Sequence, residues 1–210
     1  MNKDIKTYYD TLAKKFEFEG GSGDTPAQRS RLRKICINHE CKNIMEIGFN
    51  AGHSADVFLG IKEDILVTSF DLGEHDYVLY GKSYIDEKYP FRHNLIVGDS
   101  KKTINEFRKN CANVKFDLIF IDGDHSEIGA ITDIVNSSHL AHRDTIVVLD
   151  DTRNSNPIQS WNIGPNNAWK KCVSAGYIKE ICSEDYENEE RALSSAGGRG
   201  QSWGKYTNAE

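Results

Sequence analysis

Residues 116–127, FDLIFIDGDHSE, run from an apolar segment of strand length straight into Asp122, Gly123, Asp124 and His125. Residues 145–151 repeat the pattern, with TIVVL followed by Asp150 and Asp151. Carboxylates and an imidazole at the end of a core strand are costly to bury unless something compensates them. If the two strands are parallel neighbours, their tips lie about 4.8 Å apart on one edge of a sheet. Carboxylates at that range repel unless a cation sits between them. Asp122, Asp150 and Asp151 are therefore candidate metal ligands, and hard oxygens suit Mg²⁺, Mn²⁺ or Ca²⁺ rather than zinc. No Cys or His stands here at a zinc-ligand spacing. The bland alternative is that Asp150 and Asp151 cap a turn. A bound cation stabilises an alkoxide and so turns a hydroxyl into a nucleophile. His125 is then a candidate general base beside Asp122, since free imidazole titrates at about pH 6.5. Its own bland alternative is a helix-start residue bonded to Asp124.

Positioning these groups requires a sheet. NIMEI (43–47), ILVTSF (65–70), NLIV (94–97), FDLIFI (116–121) and TIVVL (145–149) are nearly continuous in apolar residues, as parallel strands covered on both faces should be. Helical patterns lie between them. In 126–140, Ser126 can cap a helix on which Ile128, Ile131, Ile134 and Val135 recur at helical spacing. Weaker patterns run over 26–38, 54–59, 101–109 and 166–174. Such alternation predicts an α/β fold, a doubly wound, mostly parallel sheet with right-handed crossovers. Two segments break the rhythm. One is an aromatic and charged insertion at 73–93, the other a polar loop at 152–165. After 177–182, the acidic SEDYENEE and the glycine-rich SSAGGRGQSWGKY suggest a hairpin rather than another crossover. The expected organisation is an N-terminal arm or lid over residues 1–24 and a single domain over 25–210.

Composition narrows the class. With 210 residues, 38% hydrophobic and 28% charged, the chain suits one soluble globular domain. A net charge of −6 and scattered Lys and Arg argue against a phosphate footprint, so no nucleic-acid partner is expected. Five cysteines without CxxC spacing suggest buried thiols in a reducing compartment. The first residues lack the apolar core of a signal peptide, and no apolar run approaches membrane-span length. A cytoplasmic protein without a membrane partner is expected.

Each strand end offers something to a ligand. MEIGFNAGHS (45–54) follows the first strand and opens a helix, with Gly48-x-x-x-Gly52 in place of the GxGxxG of nicotinamide-binding turns. The second strand ends at Asp71, where a carboxylate can accept both hydroxyls of a ribose. The third ends in Gly98-Asp99-Ser100, a polar turn where an adenine could sit. The fourth ends in Asp122. Each could be an ordinary turn residue, yet all four fall on the carboxyl edge, where open parallel sheets bind ligands.

With E-I-G-x-x-x-G, the acid after strand two, G-D-S after strand three and D-x-D-H after strand four, the chain resembles the class I S-adenosylmethionine-dependent methyltransferases over about residues 25–182. It looks closest to the cation-dependent O-methyltransferases of the catechol, caffeoyl-CoA and antibiotic-sugar type. The resemblance implies a Rossmann-like seven-stranded sheet with a C-terminal antiparallel hairpin. It implies that Glu46, Gly48, Asn50, Gly52 and Ser54 hold the methionine part of the cofactor, that Asp71 with Leu72 takes the ribose, and that Gly98, Asp99 and Ser100 border the adenine. It also implies that Asp122, Asp150 and Asp151 bind the cation. His125 stands where the catechol enzyme has a lysine base. The Asp-Asp pair and D-G-D-H look more like the sugar-modifying members, so a sugar hydroxyl, on a glycan or glycosylated metabolite, is the expected acceptor, ahead of a small phenol. Its selection is expected from the arm, the 73–93 insertion and the 152–165 loop, with Tyr77, Tyr80, Tyr84 and Trp161 as candidate stacking rings and Trp169 as a packing residue. A homodimer is compatible with all of this. A metal-dependent glycosyltransferase is a rival, because Asp122-Gly123-Asp124 fits its DxD, although that chemistry needs no E-I-G-x-x-x-G.

Overall fold

The computed structural model describes residues 4–18, 26–156, 158–186 and 199–209. Seven strands form its sheet: β1 (Asn43–Ile47), β2 (Leu66–Asp71), β3 (His93–Val97), β4 (Phe116–Ile121), β5 (Ala141–Leu149), β6 (Ile178–Tyr186) and β7 (Arg199–Tyr206). Their order is β3-β2-β1-β4-β5-β7-β6. The first five are parallel; β7 runs antiparallel to β5 and to β6. This is the Rossmann-like sheet with a terminal hairpin that the strand pattern and the resemblance predict.

Helices cover both faces, which is why the central strands are apolar throughout. On one face, α2 (Pro26–Asn38), α3 (His53–Leu59) and α4 (Tyr77–Lys88) pack over Ile44, Val67, Leu118, Phe120, Ile146 and Val148. On the other, α5 (Ser100–Asn110), α6 (Glu127–Ser138) and α7 (Ser160–Ser174) cover Met45, Phe70, Ile119, Ile121, Val147 and Leu149. Ser126 caps α6 as expected, its hydroxyl accepting from the Gly129 N–H at 3.0 Å.

Two irregular segments turn out to be more regular than expected. The 73–93 insertion contains α4, with Tyr77, Val78, Gly81, Tyr84 and Ile85 buried along one face. Tyr77 and Tyr84 are thus packing residues rather than exposed stacking platforms, while Tyr80 stays 38% exposed. The 152–165 loop ends at Ser160, because Asn162 Oδ1 accepts from the Gln159 N–H and starts α7 early. Pro165 falls inside that helix and Trp169 is buried on it. The arm carries α1 (Ile5–Thr11), whose Tyr9 hydroxyl donates to the backbone carbonyls of Ala51 and Tyr77. Beyond it, Phe16 packs on Tyr80 and Phe18 on Tyr77. Residues 19–25, which include the glycine-rich end of the arm, and residues 187–198, which include half of the acidic stretch and the start of the glycine-rich one, lie outside the described residues.

Candidate active site

Backbone hydrogen bonds continue past the strand tips: the Asp122 N–H donates to Ile47 O and the Asp150 N–H to Ile121 O. Gly48, Asp122 and Asp150 therefore stand side by side at the carboxyl edge. Gly48 has φ +93°, and a Cβ there would lie 2.0 Å from the Asp122 carbonyl oxygen. Only glycine lets β1 and β4 leave the sheet this close together.

That edge opens into a cleft of about 500 Å³. Gly48, Asn50, Asp71, Leu72 and Asp122 line it, and Gly98, Asp99 and Ser100 close its far end. Asp71 is fixed by two backbone donors, Asn50 N–H and Gly73 N–H, each at 2.8 Å. Each of its oxygens keeps acceptor capacity on the wall of the cleft, which suits a diol. Asn50 holds a left-handed conformation, φ +52°, to make its contact.

Glu46, Gly52 and Ser54 do not line the cleft. Glu46 is fully buried beneath the loop and accepts hydrogen bonds from the Ser54 and Ser69 hydroxyls. Burial pushes its carboxyl up to about 7, against the pull of those two donors. Its observed part is to tie β1, β2 and α3 together under the ligand loop, so a direct contact with the cofactor is not what the geometry supports.

On the other side of Asp122 lies an acid cluster. Asp122, His125 and Asp151 each offer a ligand atom within 4.8 Å of the others. His125 Nε2 is 3.8 Å from Asp122 Oδ1 and 3.2 Å from Asp151 Oδ2. Among the described residues, this histidine therefore belongs to the candidate ligand set, which sequence spacing did not show. Asp150 turns differently. It continues the alternation of Ile146 and Val148, so it faces α2, where Gln28 Nε2 donates to its Oδ2. Asp151 adopts φ +57°, a turn that Asp tolerates better than most residues. Asn162 on α7 holds the Asp151 carbonyl at 2.8 Å. Gly164 lets that helix approach the His125 backbone: a Cβ there would meet the His125 carbonyl oxygen at 2.0 Å.

The electrostatics are those of crowded acids. Burial, then Asp122, raises Asp151 to about 6, and the same two causes with Asp151 raise Asp150 well above the carboxylate range. Asp122 first, then Asp151, push the His125 imidazole up to about 9 against its desolvation. At neutral pH that ring carries a proton, so it cannot act as a base while the carboxylates are compensated by it alone. Arg199, stacked over Trp161, adds a second positive group 3.7 Å from Asp151 Oδ1. That same Oδ1 is buried without a hydrogen bond, as is Gln28 Oε1. A hard cation fits a buried oxygen left unbonded among acids. Gln28 and Arg199 escaped the sequence reading, because nothing in PAQRS or GGRG marks either as a neighbour of Asp150 or Asp151.

The model of a methyltransferase domain matches residues 45–152, just over half of the chain. The chain belongs to the methyltransferase-domain family. Its glycine loop, Asp71, Asp99 and Asp122 all fall inside the matched span, and the family membership favours the methyltransferase reading over the glycosyltransferase one. Among solved structures, the methyltransferase chain is similar to the O-methyltransferase from Bacillus cereus in complex with SAH, at 16% identity and TM-score 0.71, covering 97% of this chain and 100% of that one. It is similar to the O-methyltransferase TomG from Streptomyces achromogenes, in complex with SAM, at 13% identity and TM-score 0.70, covering 97% and 96%. The TDP-rhamnose 3'-O-methyltransferase of calicheamicin biosynthesis matches at 14% identity and TM-score 0.62, covering 87% and 82%. At these identities the likeness speaks for the fold, that of class I S-adenosylmethionine-dependent methyltransferases. No curated protein matches the chain. All five cysteines are free thiols. Among the described residues no helix is long and apolar enough to cross a membrane.

Proposed function

We propose that this chain is an S-adenosylmethionine-dependent O-methyltransferase that activates its acceptor hydroxyl at a divalent cation, Mg²⁺ or one of its hard relatives Mn²⁺ and Ca²⁺. One observation carries the reading: Asp122 belongs both to the wall of the cleft and to the acid cluster. A donor in the first and an acceptor at the second would meet across one side chain.

Asp71, held by its two backbone donors, suits the ribose diol, and Ser100 and Asp99 suit the base. The cofactor's sulfonium supplies an electrophilic methyl group. Asp122 and Asp151 would hold the cation, with His125 and Asp150 beside them, and the unbonded Asp151 Oδ1 fits that role. A divalent ion there lowers the pKa of a hydroxyl. His125 then serves as proton acceptor only when the charge of its carboxylate neighbours is otherwise met. What the protein itself contributes is placement: Gly48 and Gly164 bring β1, β4 and α7 close enough to aim these groups at one point.

The acceptor we propose is a sugar hydroxyl, on a glycan or glycosylated metabolite. The Asp-Asp pair supports this, and so does the presence of a TDP-rhamnose 3'-O-methyltransferase among the similar folds. The test is release of S-adenosylhomocysteine from S-adenosylmethionine over a panel of nucleotide sugars, glycosides and catechols, with Mg²⁺ and with excess EDTA. Turnover on sugars that EDTA abolishes is expected. Ready methylation of catechols alone would move the acceptor class to small phenols, and turnover indifferent to EDTA would remove the cation.

A further inference from the structure

The far end of the cleft, where the base would lie, is walled by Asp99, Ser100, Lys101, Asp124 and Asp133. Asp133 lies on α6, is 1% exposed, and is not marked by any motif of the sequence. Ser100 Oγ donates to its Oδ1 at 2.7 Å, the one hydrogen bond this carboxylate receives among the described residues. A serine hydroxyl has a single proton. Ser100 spends it on Asp133, so what it shows the cleft is lone pairs.

The other side chains point the same way. Asp133 Oδ2 lies close beneath Gly123, 3.4 Å from where a Cβ would stand. Asp99 Oδ1 takes the Lys101 N–H, and Asp124 Oδ1 takes the Ser126 N–H, and both carboxylates keep acceptor capacity. Lys101, the one cationic side chain here, pairs with Asp124 at 3.6 Å. With Lys101 turned to Asp124, the other side chains at this end, Ser100, Asp99 and Asp133, ask for a donor. An exocyclic amine supplies one, whereas a carbonyl at the same place would set oxygen against oxygen.

We infer that Asp133, acting through the Ser100 hydroxyl, is a specificity-determining residue that selects a 6-aminopurine methyl donor over its 6-oxopurine counterpart. The inference rests on the donor reading of this cleft given above. Burial lifts the Asp133 carboxyl to about 6, with Ser100 opposing, so at pH 8 it is ionised and can only accept. Asn at this position offers Ser100 a donor, and the hydroxyl proton can then turn into the cleft.

Calorimetric titration of the full chain at pH 8 with S-adenosylhomocysteine and with S-inosylhomocysteine tests this. The intact protein should bind the adenosyl ligand about 10- to 100-fold more tightly, the range for one buried polar mismatch. In Asp133→Asn, and again in Ser100→Ala, that ratio should narrow to about threefold or less. A purely structural role would weaken both ligands together and leave the ratio intact, which would overturn the inference. So would an unmodified protein that binds both ligands equally, although the donor reading would stand. Failure of the unmodified protein to bind S-adenosylhomocysteine would remove the donor reading and the inference with it.

Discussion

The two halves of the carboxyl edge treat their acids differently. At β1, β2 and β3, each carboxylate has its own donors: Asp71 two backbone N–H groups, Glu46 two hydroxyls, Asp99 the first turn of α5. At β4 and β5, Asp122, Asp150 and Asp151 stand against one another, and one buried oxygen of Asp151 has no hydrogen bond. An acid with private donors is a fixed positioning device. Crowded acids, two of them pushed above their ordinary range, are a site that gains from an added positive charge. The first half suits the hydroxyls of a ligand and the second a metal cation.

The largest expected effect falls on the seam between the halves. Gly48→Ala would press a methyl group into the Asp122 carbonyl and hold alanine at φ +93°. We expect a loss of about 3 kcal/mol or more of stability and no thermal shift with S-adenosylhomocysteine. A thermal melt with normal ligand response would show that the two halves need not be so close.

Next comes a variant confined to the second half. Asp151→Asn should lower cation-stimulated methyl transfer by about 100-fold or more while the dissociation constant for S-adenosylhomocysteine moves by less than about threefold. Equal losses in both would erase the division between the halves.

The strand ends that carry this contrast are legible from sequence, since β4 and β5 are apolar runs stopped abruptly by acids and β1 is one stopped by Gly48. What was not legible arises at long range. The α4 segment reads as an insertion because its outer face is aromatic too, with Tyr80 under Phe16 of the arm, which blurs the helical stripe. Gly164-Pro165 reads as a loop, yet the proline falls within the first two turns of α7, and the glycine is there for the His125 backbone. Gln28, Asp133 and Arg199 are ordinary polar residues until the fold sets them against Asp150, Ser100 and Asp151. Its motif assigns Glu46 to the cofactor, but burial and two serines claim it first.

Glu46 sharpens the comparison through pH. Its folded carboxyl, at about 7, binds its proton more tightly than the unfolded group at 4.5. Stability is therefore lost as pH rises from about 4.5 through about 7, by up to roughly 3 kcal/mol from this residue. Glu46→Gln should melt higher than the parent at pH 8, with the gap closing by pH 4.5. A gap that stays constant with pH would mean that Glu46 is ionised throughout.

The smallest effect belongs to the arm. Tyr9→Phe removes the hydroxyl that joins α1 to Ala51 and Tyr77, at a cost of about 1 kcal/mol. Faster amide exchange in residues 5–11, with the sheet unchanged, is the expected reading.

Binding of Mn²⁺ followed by electron paramagnetic resonance, in the unmodified chain and in Asp151→Asn, tests the shared cation most directly. One site per chain, displaced by Mg²⁺ and lost in the variant, is the expected result. No bound Mn²⁺ at millimolar concentration, or equal binding by both proteins, would contradict it.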